Sequence, residues 1–407
     1  MDAQQSITRY RAYKYRIYPT AAQAKALDFH FGAVRYVYNR YRAAREGYYQ
    51  DTGETLSEFD CCLDLTDHKR EAGNEWLQQA YNQSLQQAIR DLDRAYRNFF
   101  AGRARYPRFK GKRSRQSIRY LFVGNSKLRI TNGRIRIPKV GDVKITQHRH
   151  IEGTPKYMTV SKTKSGKFFV SIKCQKDVTP PPAVGPVVGI DLGLKAFVTL
   201  SDGRAIDPPK HLRKAERRLQ RLQRRLSRKR KGSANRRRAK VLLARQHEKV
   251  ANRRADFLHK LSRHLVDTHG HIGVENLHVK GMLRNHSVAK SIFDAGWGEF
   301  VRQLEYKGDW YGCKLVKVDR WFASSKTCSA CNAHNAALDL SDRRWVCQQC
   351  GALHDRDLNA ARNILKQSTA RTAGIDARGN MSRCSKTTQP GNLTASGPPV
   401  QLRFPFA

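Results

Sequence analysis

The chain has 407 residues, with 78 Lys or Arg against 34 Asp or Glu, so its formal net charge is +44 at pH 7. A charge of this size disfavours a free monomer and indicates an extended surface for a polyanion, in particular nucleic acid. No apolar run approaches the roughly 18 residues of a membrane-spanning helix, and no signal peptide is recognisable, so we expect a cytoplasmic, nucleoid-associated protein. Nine cysteines, an odd number, argue against a disulfide framework.

The N-terminal region predicts one strand and two helices. Residues 10–18 alternate between aromatic or apolar and basic side chains, which is typical of a half-buried strand. Thr20 and Gln23 fit a capping box at the start of an amphipathic helix. A second helical stripe covers residues 85–99, and residues 51–76 show no clear pattern between the two.

A basic segment follows at residues 103–115, in which Tyr106 and Phe109 lie among Arg and Lys. Aromatic and cationic side chains together favour base stacking with phosphate contact, and a solvated basic loop is the alternative. The candidate nucleic-acid contacts here are Arg103, Arg105, Arg108, Lys110, Lys112 and Arg113.

Residues 115–175 predict a small antiparallel sheet or barrel. Asn132-Gly133 and Ser165-Gly166 each separate two short apolar runs, the pattern of a two-residue hairpin. Residues 10–18 supply a further strand of this sheet, and residues 179–182 form a stiff proline-rich linker.

Val187–Asp191 predicts a buried strand that delivers Asp191 into a glycine turn, and residues 196–200 predict its hairpin partner. A buried carboxylate requires a cation, hydrogen-bond donors or a metal ion to offset the loss of hydration. The alternative is that Asp191 caps a turn.

Residues 210–266 are the most basic part of the chain and predict a helical hairpin that breaks at Gly232-Ser233. The density of positive charge favours contact with nucleic acid over a merely solvated face. The candidate contacts are Arg224, Arg225, Arg228, Arg236 and Arg237.

Two further carboxylates occur at the ends of predicted elements. Glu275 follows a short strand, and Asp357 precedes a helix that begins near Leu358. Asp355 and Asp357 are both candidates for helix capping. Residues 369–407 lose periodicity and predict a disordered tail.

Cys328, Cys331, Cys347 and Cys350 form two C-x2-C pairs with the spacing of a zinc-binding element. Four thiolates leave no open position on a tetrahedral Zn²⁺, so the predicted zinc is structural.

The order of elements, with a strand hairpin, a further strand and then a helix carrying a late acid, is that of an RNase H-like nuclease. Asp191, Glu275 and Asp357 are its candidate catalytic residues. Clustered carboxylates suit two Mg²⁺ ions held about 3.5–4 Å apart beside a scissile phosphate.

Four motifs carry a resemblance that covers roughly residues 10–365. They are Gly189-Ile-Asp-Leu-Gly193, Gly273-Val-Glu-Asn-Leu277, Ser325-Lys-Thr-Cys-Ser-Ala-Cys331 and His354-Asp-Arg-Asp-Leu-Asn-Ala-Ala361. In this order, with four cysteines just before the last acid, they resemble TnpB, the transposon-encoded family of RNA-guided DNA nucleases related to type V CRISPR effectors. The resemblance identifies Asp191, Glu275 and Asp357 with the family's metal-binding acids.

The resemblance implies an endonuclease, in a prokaryotic host, that uses a guide RNA from the transposon end. It cuts double-stranded target DNA next to a short transposon-adjacent motif at a single RuvC-like site, with two Mg²⁺ and one structural Zn²⁺, as a monomer with RNA.

The resemblance also implies an α+β multidomain fold with a RuvC-like core, an inserted zinc element, and a wedge β-barrel that carries a helical recognition lobe. The expected boundaries are 1–20 and 105–182 for the barrel, 21–104 for the lobe, 183–324 and 353–368 for the core, 325–352 for the zinc element and 369–407 for the tail.

Two alternatives use the same residues. A DNA transposase would employ the acids and metal ions for strand transfer, with a 3′ hydroxyl in place of water. A non-catalytic nucleic-acid-binding regulator of transposition would keep the acids for structure alone.

Overall fold

The computed structural model describes residues 6–123, 127–339 and 341–377, and it has a mixed α+β architecture. Its contacts divide the described chain into two units, one formed by residues 8–177 and the other by residues 178–377. Within the described ranges, no helix is both long and apolar enough to cross a membrane.

The described part of the first unit contains seven strands and three α-helices. Its elements are β1 (Ile7–Tyr18), α1 (Ala21–Thr52), α2 (Glu58–His68), α3 (Asn82–Phe100), β2 (Gln116–Leu121), β3 (Ile130–Thr131), β4 (Arg134–Ile137), β5 (Gly141–Thr146), β6 (Thr154–Lys162) and β7 (Phe168–Val178). A 3-10 turn covers Glu75–Gln79.

The seven strands form one sheet in the order β2-β6-β7-β1-β5-β4-β3. The N-terminal strand β1 therefore lies between β7 and β5, which confirms that it joins the later strands. Its alternation is also confirmed, because Tyr13, Tyr15 and Ile17 are buried in the core of the sheet.

Both predicted hairpins are present. Asn132 and Gly133 have φ of 50° and 67°, the left-handed backbone that a two-residue hairpin loop requires, and they join β3 to β4. Gly166, with φ of 86°, lies in the turn between β6 and β7.

The helices of the first unit pack on one another through apolar faces of α1, α2 and α3. The capping box at Thr20 and Gln23 is confirmed by hydrogen bonds in both directions. Helix α2 lies in the stretch where the sequence showed no clear pattern. The sequence feature that indicates this helix is a second capping box formed by Ser57 and Asp60. The carboxylate of Asp60 accepts a hydrogen bond from the backbone N–H of Ser57.

The second unit contains a five-stranded sheet, a small hairpin and six helices in its described part. Its elements are β8 (Val187–Asp191), β9 (Val198–Leu200), β10 (Ala205–Ile206), α4 (His211–Ser227), α5 (Ala234–Thr268), β11 (His271–Glu275), α6 (Val279–Met282), α7 (His286–Ala295), α8 (Trp297–Tyr311), β12 (Lys314–Val318), β13 (Arg344–Val346), β14 (Leu353–Asp355) and α9 (Arg356–Ala377).

The five-stranded sheet has the order β10-β9-β8-β11-β12, which confirms that the strand carrying Asp191 is central. Strands β8, β11 and β12 are parallel, whereas β9 is antiparallel to β8 and to β10. The register pairs Ile190 with Val274 and Glu275 with Val318. The carboxyl ends of the three parallel strands therefore lie along one edge.

The two faces of this sheet are covered differently. Val188, Ile190, Ile272 and Val274 pack with apolar residues of α5, α7 and α8. Because side chains alternate along a strand, Gly189 and Gly273 face the other side, and the register places them side by side. Helix α9 covers that face.

The contact between α9 and the sheet requires glycine. A Cβ atom on Gly189 would lie 2.1 Å from the carbonyl oxygen of Ala361, and one on Gly273 would lie 2.4 Å from Oγ of Ser368. Neither position has room for a methyl group. The backbone of α9 rests directly on the strand at Gly189, and the Ser368 side chain fills the space over Gly273.

The predicted basic hairpin is confirmed as α4 and α5, with Ser233 as the N-cap of α5. Arg236 donates to the carbonyl oxygens of Leu226 and Lys229 at 2.8 and 2.7 Å, which closes the C-terminal end of α4. The carboxylate of Asp294 accepts from the backbone N–H of Leu212 and from Arg254, so it anchors the start of the hairpin.

Helix α9 continues to Ala377, so the prediction that residues 369–377 are disordered is wrong. Small and polar residues weaken the apolar periodicity there, but the helix is already nucleated and packed by its first turns, which makes extension cheap. Residues 378–407 of the predicted tail lie outside the described chain.

The close approach predicts that Gly189→Ala lowers the free energy of unfolding of the second unit by about 1–3 kcal/mol, because a methyl group would displace α9. Gly298→Ala is the matched control, since a Cβ there meets nothing within 4 Å and the residue lies within α8. It should be neutral or stabilise by up to about 1 kcal/mol. Urea denaturation measures both, and equal effects would contradict the packing argument.

Candidate functional site

Asp191 and Glu275 lie at the carboxyl ends of two neighbouring parallel strands. Each follows its glycine by two residues, so both side chains are on the sheet face that α9 covers. Both residues are partly buried. The register alone therefore brings the first two predicted acids to one edge and one face.

Asp357 reaches the same place from α9. Ala361 lies over Gly189, and Asp357 precedes Ala361 by about one helical turn, beyond the end of the strand. The charge of Asp357 contributes to the raised pKa of Asp191, as expected for carboxylates at the same end of the sheet. We call the strand ends with Asp191, Glu275 and Asp357 the carboxylate edge.

Asp355 has a different position. Its Oδ1 atom accepts from the backbone N–H groups of Asp357 and Leu358, both at 3.1 Å, so it caps the first turn of α9. Asp357 makes no such cap; its Oδ1 atom is paired with Nη1 of Arg343 at 3.4 Å. The capping interpretation thus holds for Asp355, whereas the carboxylate of Asp357 is paired with Arg343.

The electrostatics of the edge follow from burial and like charge. Burial, then the charges of Asp357 and Glu275, raise the pKa of Asp191 to about 7, against a smaller lowering effect of Arg356. Burial also raises the pKa of Glu275. Two carboxyl groups whose ionisation is disfavoured, with a third acid beside them, form a site where a cation would be stabilised.

The donor set of the edge consists of carboxylate oxygens, which are the ligands of hard cations such as Mg²⁺. The acids of this edge come from three separate elements, so the fold itself assembles the set. The donor chemistry of the edge therefore suits a divalent hard cation, whereas the described side chains already close into a metal-ligand group at the four cysteines.

The two C-x2-C pairs form two turns of the same geometry. The N–H of Cys328 donates to the carbonyl of Ala333 at 2.8 Å, and the N–H of Cys347 donates to that of Ala352 at 2.9 Å. In both turns the residue after the second cysteine has a left-handed backbone, with φ of 65° at Asn332 and 69° at Gly351. The repeated turn presents two sulfur atoms on each side.

The four sulfur atoms converge within 4.8 Å of one another. Sγ of Cys328 lies 3.7 Å from that of Cys350, and Sγ of Cys331 lies 3.6 Å from that of Cys347. A tetrahedron with Zn–S bonds of about 2.3 Å has edges of about 3.75 Å, so these distances suit zinc. Within the described ranges, these cysteines are the group of metal-ligating side chains that could hold an ion.

Backbone N–H groups favour thiolate at this centre. Those of Cys350 and Gln349 lower the pKa of the Cys347 thiol to about 6. The ring Nε2 of His354 lies 3.0 Å from Sγ of Cys328 and supplies a further polar contact. His354 is buried against the ring of Trp345, at 4.7 Å between centroids.

Two asparagines of α9, to which the sequence analysis gave no role, join the cysteine element to this helix. The amide groups of Asn359 and Asn363 are buried and donate to the carbonyl of Thr327 at 2.7 and 2.6 Å. Oδ1 of Asn359 accepts from the N–H of Ser329 at 2.8 Å. The sequence feature that could have indicated this role is the pair of asparagines four residues apart on a helix that also carries alanines. Buried amides require hydrogen-bond partners, so such a pair indicates a polar contact with another segment.

The predicted nucleic-acid contacts are placed as follows. Of the eleven predicted cations, nine have exposed side chains, one is a packed lysine and one caps a helix. Arg103, Arg105, Arg108, Lys112, Arg113, Arg224, Arg225, Arg228 and Arg237 are exposed. Lys110 is packed with its ammonium 3.4 Å from the ring centroid of Tyr38, and burial lowers its pKa. Arg236, the eleventh, is the helix cap described above.

These features define a multidomain α+β protein that carries a carboxylate edge and a four-cysteine element in a strongly basic chain. The chain belongs to the TnpB family, also called OrfB_IS605. A protein of Streptomyces pristinaespiralis named "Putative RNA-guided DNA endonuclease" is 41% identical over 398 residues, which cover 95% of this chain and 98% of that protein. The Escherichia coli K12 protein "Putative RNA-guided DNA endonuclease InsQ" is 34% identical and aligns over 88% and 92% of the two chains.

Family profiles match three segments of the chain. Residues 169–286 match a family described as "Probable transposase", and residues 297–364 match the "Cas12f1-like, TNB domain". Residues 9–54 match a "Helix-turn-helix domain", although here they form strand β1 and the single long helix α1.

A solved structure described as "Cryo-EM structure of the Cas12f1-sgRNA-target DNA complex" aligns with a TM-score of 0.49 at 13% identity, over 88% of this chain and 98% of that one.

The raised pKa of Asp191 predicts how the metal-free protein responds to pH. The ordinary pKa of 3.8 applies to Asp191 in the unfolded chain, and the pKa of about 7 applies in the folded protein. Between these two pH values the folded state binds more protons than the unfolded state, so the free energy of unfolding should fall as pH rises. Asp191→Asn should flatten that slope in urea titrations with chelator present.

Asp202→Asn is the control for this titration, because the hydrogen bond from Arg204 lowers the pKa of Asp202. Removal of the Asp202 carboxylate should leave the fall of the unfolding free energy with pH in place. Identical slopes for the wild type and Asp191→Asn would contradict the assigned pKa.

Proposed function

We propose that this chain is a metal-dependent, RNA-guided DNA endonuclease that cuts at the carboxylate edge. The observation that carries the proposal is the convergence of Asp191, Glu275 and Asp357, from two parallel strands and one helix, at a site where burial and like charge raise the pKa of Asp191. Close relatives over nearly the full length of the chain are named for this activity.

The three acids would hold two Mg²⁺ ions at the carboxylate edge. When bound, such ions supply an activated water and stabilise the leaving 3′ oxygen in phosphodiester hydrolysis. Glu275 and Asp191 are fixed by strand register, and Asp357 is fixed by the cap at Asp355 and by the contact of α9 with the sheet. The chain thus orients its ligands through rigid elements.

The partners proposed are a guide RNA from the transposon end and a double-stranded target DNA. The net charge of +44 supports a long polyanion footprint, and the exposed arginines of the α4–α5 hairpin and of residues 103–113 support its location. Base pairing of the guide with DNA would carry sequence specificity, while the protein contacts backbones.

The proposed domain assignment follows the two units. The strand order β10-β9-β8-β11-β12, with one antiparallel hairpin and three parallel strands, supports an RNase H-like, RuvC-like core. The seven-stranded sheet supports a wedge-like domain into which the helical lobe α1–α3 is inserted. The four cysteines support one structural Zn²⁺.

A second candidate is a strand-transfer enzyme, which the family description "Probable transposase" favours. The same acids would serve it. Copurifying RNA distinguishes the two, because only the guided endonuclease loses DNA cutting when that RNA is digested and regains it when the RNA is restored.

The site assignment predicts that Asp191→Ala lowers DNA cutting by at least about a hundredfold, since loss of a ligand removes several kcal/mol of transition-state stabilisation. RNA binding, measured by filter retention, should be unchanged. Asp355→Asn is the matched control, because asparagine also caps helices, and it should retain cutting.

Equal cutting by the wild type and Asp191→Ala would remove the carboxylate edge as the nuclease site. A wild type that binds RNA and DNA but cuts neither strand with Mg²⁺ would favour a regulator of transposition.

The sulfur geometry predicts one zinc per chain by atomic emission. Cys347→Ser should lose the metal and unfold at a lower urea concentration, because structural zinc contributes folding free energy. Cys62→Ser, a half-buried thiol in the first unit, should retain the zinc. Freshly purified wild-type protein without zinc would contradict the assignment.

A further inference from the structure

Trp321 is the most exposed large apolar side chain in the described part of the chain, with 80% of its surface accessible. It lies three residues beyond β12, whose last residue, Val318, pairs with Glu275. Since β8, β11 and β12 are parallel, Trp321 projects from the same sheet edge that carries the proposed nuclease acids. An exposed indole beside such a site offers a flat apolar face on which a ligand can stack.

The backbone around Trp321 is held on both sides. Oδ1 of Asp319 accepts from the N–H of Trp321 at 2.9 Å, which fixes the turn after β12. A few residues on, Asn363 of α9 donates to the carbonyls of Ser324 and Thr327 at 2.8 and 2.6 Å. The helix that positions Asp357 therefore also positions this turn, so the ring needs little ordering when a ligand binds.

The chemistry of the position suits a nucleobase. The guanidinium carbon of Arg320 lies 4.5 Å from the ring centroid of Trp321. A cation beside a broadly exposed aromatic ring combines phosphate neutralisation with a surface on which a base can stack. Bases inside a duplex are stacked on both sides, so such a ring selects an unpaired strand.

We propose that Trp321 and Arg320 form a binding subsite for single-stranded DNA entering the carboxylate edge. The indole stacks on an unpaired base close to the scissile phosphate, and the guanidinium contacts the neighbouring phosphate. Trp321 is thus a positioning residue for the cut strand. The inference rests on the proposed function, in which that edge cuts DNA.

The test compares Trp321→Ala and Trp321→Phe in the full chain with its copurifying RNA. Binding of a labelled oligothymidylate of about ten nucleotides is measured by fluorescence anisotropy with chelator present, at salt high enough to suppress contacts with phosphate alone. Trp321→Ala should weaken binding about tenfold and slow DNA cutting in Mg²⁺, whereas Trp321→Phe, which keeps a ring, should stay close to the wild type.

Phe59→Ala is the matched control, because Phe59 is a 68% exposed aromatic residue on α2 of the first unit. It should change neither quantity. A bromodeoxyuridine-substituted oligothymidylate, cross-linked by ultraviolet light, should place an adduct on Trp321 in the wild type.

Unchanged oligothymidylate binding in Trp321→Ala would overturn the subsite, and so would an equal loss in Phe59→Ala. A change of oligomeric state in Trp321→Ala without weaker oligothymidylate binding would assign the ring to a protein contact and also overturn it. If the wild type fails to cut DNA while Trp321→Ala still weakens binding, the subsite stands and the proposed nuclease activity fails.

Discussion

The contact between α9 and the central sheet is the constraint on which the second unit depends. Two glycines in register, Gly189 and Gly273, remove the side chains that would otherwise separate a helix from the strands beneath it. The helix is therefore held by backbone contact at Gly189 and by the short Ser368 side chain at Gly273, which leaves less freedom than contact through long side chains. This close fit carries the third carboxylate, Asp357, to the ends of the strands that hold the other two.

Helix α9 contacts the sheet with one face and the cysteine element with the opposite face. Ala361 and Ile364 pack on the sheet, whereas Asn359 and Asn363 hold the segment that leads into the first cysteine turn. A buried amide that loses its partner costs more than the hydrogen bond was worth, so these asparagines tie the cysteine element firmly to the helix. Sulfur and oxygen sites of different chemistry thereby share one rigid support.

Much of this could be predicted from sequence, for reasons that differ among the parts. The strand at Tyr13, the hairpin at Asn132-Gly133 and the cysteine turns follow from local periodicity and spacing, which the sequence displays directly. The three acids were singled out by their positions at the ends of elements. The roles of Gly189, Asn363 and Arg236 were not predicted, because each depends on a partner brought close only by tertiary packing.

The parallel strands have a consequence for how the protein is made. β8, β11 and β12 come from well-separated segments, and α9 is translated after all of them, so the contacts of the site are non-local and form slowly. While Asp357 is still inside the ribosome, the emerged part of the chain contains Asp191 and Glu275 but lacks the third acid. Its basic hairpin, by contrast, is already synthesised. Under the proposed function, attachment to nucleic acid would therefore precede the ability to cut during synthesis.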